Sequence, residues 1–502
     1  MAPWVRRRKI RPVSPAVSTW VISLICLGAW GAHLPALFQH QSGITDDGAS
    51  YIEAARSLQA GRGLTVRPHN GLEPALWQPL TIWPPGYPLL LAVAQAAGLS
   101  EPASWAAVSV GSMALAVVLL VWIISRFFTP LVTLAVVLTV VLMPAFLSAS
   151  LVVMSDPPYL VAATASIACL LAWAQRPRQP WRWLAAAGLL AGLAWGIRYV
   201  AVALWTATAA WLLAHFLWMP WRQVLRSGLA WAAGLLLGAG PFILRNILLT
   251  GEMTPYHMSP SELSVWDNVR VTVHAILLEI TRWQTGIDWL VSHVPTAAIL
   301  AALSALAVWL WLRPFTISQA KVALERYRPA LLLALYLCIH LAVLIAARSK
   351  YRWGAMIDIR VMLPVFWIVW MGLAAAILAF ARRLRLKPRA GRLIAISLLM
   401  VLTGLQIRDH QDHLHFLRTT VSGASRNVME YAFGERVVEA LKQEIGPDQI
   451  VLSPRAFLLR VHGDLNARQL LPVAKVEAGE MLTLEAIRQA GQSGLLWGII
   501  LD

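Results

Sequence analysis

Long apolar runs, separated by short clusters of Lys and Arg, constrain this chain more than any other feature. A membrane-spanning helix needs roughly 20 mostly apolar residues. Eleven segments approach that length, at approximately 16–38, 102–125, 130–149, 157–174, 183–197, 198–218, 228–249, 294–312, 329–347, 361–381 and 392–407. Only 13% of the 502 residues are charged and 58% are hydrophobic. Soluble domains carry about one quarter charged residues, so the pattern predicts an all-α polytopic membrane protein. The net charge of +17 would suit nucleic acid if it were clustered. It is distributed between apolar segments, as helix-orienting charges are. No nucleic-acid partner is expected, and the lipid bilayer is the first partner.

The run 183–218 is interrupted only around Gly196-Ile197-Arg198-Tyr199. It reads as two helices or as one long tilted helix, which would invert everything downstream. Two helices put Arg6–Arg11, Arg126, Arg176–Arg182, Arg222–Arg226, Arg313–Arg328 and Arg382–Arg392 on one side, as cytoplasmic segments do. The expectation is a multi-pass protein of the cell (plasma or inner) membrane, with a cytoplasmic N-terminus and a retained first span. The loop 39–101 and the region from Arg408 then face the extracytoplasmic side. Residues 1–407 form the transmembrane domain, and 408–502 a small α/β domain with a helix near Val438–Lys442 and strands at Gln449–Ser453 and Leu495–Leu501. Short amphipathic stretches at about 48–60, 85–97 and 266–290 suit helices lying at the interface. Cys26, Cys169 and Cys338 are scattered in apolar segments and offer neither disulfide nor metal spacing.

Ionisable residues near span ends are few, and they share one face. Asp46 and Asp47 follow the first span; Asp156 lies in the turn after the third. Arg198 heads the sixth span, Arg245 ends the seventh and Arg360 heads the tenth. Arg presents a planar fork to phosphate, and Asp can take a proton from a nucleophile. Each also has a plainer reading: Asp156 before Pro157 as a helix cap, and a lone interfacial Arg snorkelling to headgroups. The pattern demands no cofactor, although acidic residues at this face would also suit a divalent metal.

The order of these motifs resembles the GT-C glycosyltransferases, in the polyprenyl-phosphate-sugar-dependent branch that includes protein O-mannosyltransferases and the lipid A aminoarabinose transferase. The residues that carry the resemblance are Asp46-Asp47, Tyr51, Ala55-Arg56, Gly61-Arg62-Gly63 and Pro84-Pro85-Gly86-Tyr87-Pro88. Further along they are Ser155-Asp156-Pro157, Gly196-Ile197-Arg198, Arg245-Asn246 and Arg360 with Leu363-Pro364. The register leaves either Asp46 or Asp47 as the catalytic acid. Trp83 stands where the aminoarabinose enzymes carry a Lys.

The resemblance implies an integral membrane glycosyltransferase that moves a sugar from a polyprenyl-phosphate donor to an extracytoplasmic glycan, lipid or protein. Asp47 or Asp46 would be the general base, and Asp156 would orient the acceptor or a metal. Arg198, Arg245 and Arg360 would hold donor phosphate. Tyr51, Arg56, Pro85 and Tyr87 would shape the substrate loop. The alternatives are a flippase for lipid-linked glycans and a non-catalytic scaffold. A transporter places ionisable groups and broken helices near the midplane, often in repeated halves. Here the charges lie at helix ends and no repeat is evident.

Overall fold

The computed structural model describes residues 15–34, 44, 46–68, 77–150, 152–175, 181–217, 219–255, 260–294, 328–351, 359–419, 441, 443–445, 449–453, 456–469 and 496–499. The chain opens with helix α1 (Pro15–Gly31). The first loop then holds α2 (Asp46–Gln59), a two-stranded antiparallel hairpin of β1 (Thr65–Val66) and β2 (Gln78–Pro79), and α3 (Gly86–Ala96). The bundle continues with α4 (Glu101–Ile124), α5 (Pro130–Val141), α6 (Pro144–Ala149), α7 (Asp156–Gln175), α8 (Arg182–Ile197), α9 (Val202–Ala214) and α10 (Trp221–Thr250). Next come α11 (Val265–Thr281), α12 (Gln284–His293), α13 (Arg328–Lys350), α14 (Ile359–Arg383) and α15 (Pro388–Thr419). A parallel sheet in the order β4-β3-β5 follows, from β3 (Ile450–Ser453), β4 (Ala467–Gln469) and β5 (Leu496–Ile499), with α16 (Ala456–Gly463) between β3 and β4.

The protein is a polytopic, predominantly helical membrane protein. Among the described residues, six helices are long and apolar enough to cross a membrane: α4, α7, α10, α13, α14 and α15. Large apolar side chains point outward from them, among them Leu229, Leu236, Leu237 and Leu248 of α10. Lipid, rather than water, is the solvent that tolerates such a surface. Trp181 and Trp221 are exposed at the starts of α8 and α10, where interfacial Trp belongs. Others, including Trp195, Trp211, Trp367 and Trp370, are buried in the bundle.

The ambiguous run resolves at Arg198, whose backbone is extended at φ −149°, ψ 128° and ends α8. A 3-10 turn at Tyr199–Ala201 restarts the chain as α9. The glycines of α8 and α10 reveal the direction of travel. A Cβ on Gly188 would lie 2.0 Å from the Trp231 carbonyl oxygen, and one on Gly192 would lie 2.6 Å from the Ala239 nitrogen. Both partners advance together, so α8 and α10 run parallel, and α9 carries the chain back from the end of one to the start of the other. Small residues permit this backbone approach, which is the usual means of helix association in lipid.

Several boundaries differ from expectation. The segment 130–149 is two helices, because Met143 adopts ψ 136° ahead of Pro144, the extended geometry that a following proline favours. The amphipathic stretch 266–290 likewise divides at Arg282, which is left-handed at φ 54°. Helix α15 continues past residue 408 to Thr419. The candidate span 294–312 lies outside the described residues, as does most of the helix expected near Val438–Lys442.

Candidate active site

Helix α2 begins at the acidic pair, where carboxylates meet the positive end of the helix dipole. Its apolar face, with Ala49, Tyr51, Ile52 and Ala55 buried, packs on Tyr87 and Leu91 of α3. Tyr51 meets Tyr87 edge to face, with ring centroids 5.0 Å apart, and Trp83 at 6.4 Å. Pro85 caps α3. A Cβ on Gly86 would lie 2.5 Å from the Gly196 carbonyl oxygen. Glycine therefore lets the Pro-Pro-Gly turn rest directly on the end of α8, next to Arg198.

That contact brings three separate motifs together. Arg198 Nη1 lies 2.7 Å from Asp156 Oδ2, and its side chain is 21% exposed against 2% for Asp156. Arg198 Nη1 also donates to Ser155 Oγ at 3.3 Å, and Ser155 Oγ shares a hydrogen bond with the Tyr51 hydroxyl at 3.2 Å. Asp47 is partly exposed, and its charge acts on both Tyr51 and Arg198. Burial pushes the Tyr51 hydroxyl well above its ordinary pKa; the Asp47 charge pushes the same way and Arg198 opposes it. Asp156 Oδ1 and Oδ2 have no hydrogen-bond partner among the described residues. The Arg198 contact is thus an ion pair that leaves the acceptor capacity of the carboxylate unfilled. Ser155, the link between Tyr51 and Arg198, was not legible as a site residue in the sequence beyond its place before Asp156.

Arg245 sits differently. Its Nη2 donates to the Leu80 carbonyl at 2.8 Å and to the Leu64 carbonyl at 3.4 Å, so it clasps the β1–β2 hairpin. Its neighbour Asn246 donates to the Tyr199 hydroxyl at 3.0 Å, one residue beyond Arg198. Asp46 opens α2 and Arg360 lies in the first turn of α14; the side chains of both lie outside the described residues. Among the described residues, no group of three His, Cys, Asp or Glu side chains converges as a metal would need.

Further along α2, a second polar cluster meets the C-terminal unit. Glu53 is buried and accepts from Arg460 and Arg67. Arg67 Nη2 also donates to Asp464 Oδ1 at 2.7 Å. Arg56 grips Glu101 at the start of α4 through both Nε and Nη2, at 2.5 and 2.7 Å. The substrate-loop residue Arg56 therefore braces α2 against α4, on a different turn from Asp47. Glu53 and Arg460 were missed in the sequence, although a Glu inside the otherwise uncharged run Tyr51-Ile52-Glu53-Ala54-Ala55 was the available signal.

Solved structures share this arrangement of helices. The chain is similar to "Crystal Structure of ArnT from Cupriavidus metallidurans in the apo state", with a TM-score of 0.57, 15% identity, and coverage of 95% of this chain and 92% of that one. It is also similar to ArnT from the same organism bound to undecaprenyl phosphate, with a TM-score of 0.54, 13% identity, and coverage of 95% and 91%. The fold is the GT-C fold. No family model matches the sequence, and no curated protein matches it. At these identities the likeness concerns the fold, and residue roles rest on the geometry above.

Proposed function

We propose that this protein is a GT-C glycosyltransferase that moves a sugar from a polyprenyl-phosphate carrier to an acceptor on the extracytoplasmic face of the cell membrane. The observation that carries this reading is the junction of Asp47, Tyr51, Ser155, Asp156 and Arg198 at helix ends. ArnT, which shares the fold, has been solved with undecaprenyl phosphate bound, and this supports the choice of donor.

The residues divide the chemistry. Asp47 is the general base and removes a proton from an acceptor hydroxyl. The freed oxygen attacks the anomeric carbon, the bond from that carbon to the phosphate oxygen breaks, and polyprenyl phosphate departs with the electron pair. The configuration at the anomeric carbon inverts. Arg198 meets the charge that grows on the leaving phosphate, with Arg360 at the same face. Asp156 holds Arg198 in place, and its unfilled lone pairs accept from the acceptor or a water. Asp46, its neighbour in sequence, is the alternative base. Arg245 acts through the hairpin that it clasps.

Donor binding tests this reading. Purified protein in detergent is titrated with undecaprenyl phosphate and monitored by native mass spectrometry. Arg198→Ala weakens binding, and Arg198→Lys restores part of it because the fork is lost. Equal affinity in the parent, Arg198→Ala and Arg360→Ala would remove the donor site, and with it this proposal.

A further inference from the structure

The Gly61-Arg62-Gly63 motif has no part in the chemistry above, yet its backbone conformation is one that glycine favours. Gly61 and Gly63 both adopt left-handed backbone, at φ 75° and 74°. A side chain at either position would strain the turn. Between them Arg62 lies over the Trp77 ring, its guanidinium carbon 4.3 Å from the centroid; Arg67 lies over the same ring at 4.8 Å. Both line a cavity of about 330 Å³ between the first loop and the C-terminal unit, together with Glu53, Arg56 and Asp464.

The cations of this cluster differ in their engagement. Arg56 is held by Glu101, Arg67 by Glu53 and Asp464, and Arg460 by Glu53. Arg62 is exposed, and among the described residues its side chain has a long bond from Nε to Ser57 Oγ, at 3.4 Å, and no protein partner at either Nη. Among the described residues, the four guanidiniums of Arg56, Arg62, Arg67 and Arg460 lie near three carboxylates, Glu53, Asp464 and Glu101, and Arg62 is the one guanidinium of the four without an ion pair. Stacking on an indole fixes a guanidinium plane while leaving its hydrogen-bonding edge open.

We infer that this cavity binds an oxyanion, a phosphate or a carboxylate, through the open fork of Arg62 over Trp77. The inference rests on the transferase reading for its purpose: the anion is carried by the acceptor. Glu53 and Arg56 follow Asp47 by six and nine residues on one helix, so the cavity lies about 9–14 Å along the axis from the base. About two to three sugar units span that distance. The acceptor is therefore an anionic glycan or glycolipid, held by its charge while a hydroxyl reaches Asp47.

Equilibrium dialysis of the full chain in detergent tests the site, with inorganic phosphate and glucuronate as separate probes. An Arg198→Ala background weakens phosphate binding at the donor site, so the Arg62-dependent part of the signal is read against it. Saturable binding is expected, with Arg62→Ala weakening it roughly tenfold or more and Arg62→Lys retaining part of it. Preference for phosphate assigns a phosphorylated acceptor, and preference for glucuronate a uronic-acid acceptor. Binding of both probes unchanged by Arg62→Ala, or no saturable binding of either, overturns the inference. If Arg62-dependent binding holds while the parent transfers no sugar, the anion site stands and the transferase reading falls. If transfer is robust and anion binding ignores Arg62, the reverse is true.

Discussion

Arg198 Nη1 and Asp156 Oδ2 lie 2.7 Å apart, and they join the break between α8 and α9 to the first residue of α7. The carboxylate is almost wholly buried and the guanidinium largely so. Removing one partner strands the other in a low-dielectric site. Such a break typically costs about 3 kcal/mol or more. Asp156→Asn and Arg198→Gln should therefore each lower thermal stability markedly. The Asp156→Asn/Arg198→Gln double variant should recover part of the loss, read as a positive coupling in a double-mutant cycle. Additive losses would mean that the two side chains do not support each other.

The α8–α10 seam allows a sharper contrast. Gly188 faces the Trp231 carbonyl so closely that even a methyl group has no room, whereas a Cβ added to Gly228 on α10 would meet nothing within 4 Å. Gly188→Ala should destabilise the protein severely, because backbone on both sides must shift. Gly228→Ala should be neutral or slightly stabilising, since alanine is the better helix former. Detergent melting curves of the two variants distinguish this seam from a generic sensitivity of glycines.

Tyr51 remains a neutral hydroxyl through the physiological range, because burial raises its pKa. A raised pKa stabilises the fold below the unfolded value of about 10, and this contribution is lost as pH climbs through the folded value. Tyr51→Phe removes the bond to Ser155, worth roughly 1 kcal/mol, and should slow transfer several-fold. The alkaline limb of the pH–rate profile below about pH 10 should keep its position. A limb that moves would make Tyr51 a titrating participant.

Glu53 ties α2 to the C-terminal unit by accepting from Arg460 while also holding Arg67. Glu53→Gln leaves two buried guanidiniums short of a counter-charge and should loosen the α2–α16 contact. Hydrogen exchange should then rise in 456–469 without a matching rise in α7. Unchanged protection of that segment would show that apolar contacts, such as Val461 packing in the α2–α3 cluster, suffice to hold it.

The helices were legible because hydrocarbon imposes a length and polarity on each span. Arg198 was legible as a break because a charge inside an apolar run has few other uses. Its partner was not, since nothing in the sequence specifies that α7 and α8 bring residues 156 and 198 together. Arg245 read as a phosphate ligand from its position at a span end; the structure engages it with the carbonyls of Leu64 and Leu80. Sequence position gives the depth of a side chain, whereas its partner depends on packing between helices. The Glu53–Arg460 link was invisible for the same reason, as it crosses some four hundred residues.

The acidic pair supports the last prediction. Asp47 lies within electrostatic reach of Tyr51 and Arg198, and it stands one residue inside the helix that Asp46 begins. A general base contributes roughly two to four orders of magnitude in rate. Asparagine preserves the size of aspartate and much of its hydrogen bonding but cannot accept the proton. Asp47→Asn should therefore fold, melt as the parent does and bind undecaprenyl phosphate normally, while sugar transfer falls at least about a hundredfold. Asp46→Asn should be milder, because Asp47 is the carboxylate whose charge reaches Tyr51 and Arg198. The measurement is transfer from a polyprenyl-phosphate sugar to acceptor by purified variants, with melting curves in parallel. Transfer at the parental rate by the Asp46→Asn/Asp47→Asn double variant would remove both carboxylates from the reaction and overturn the assignment of the base.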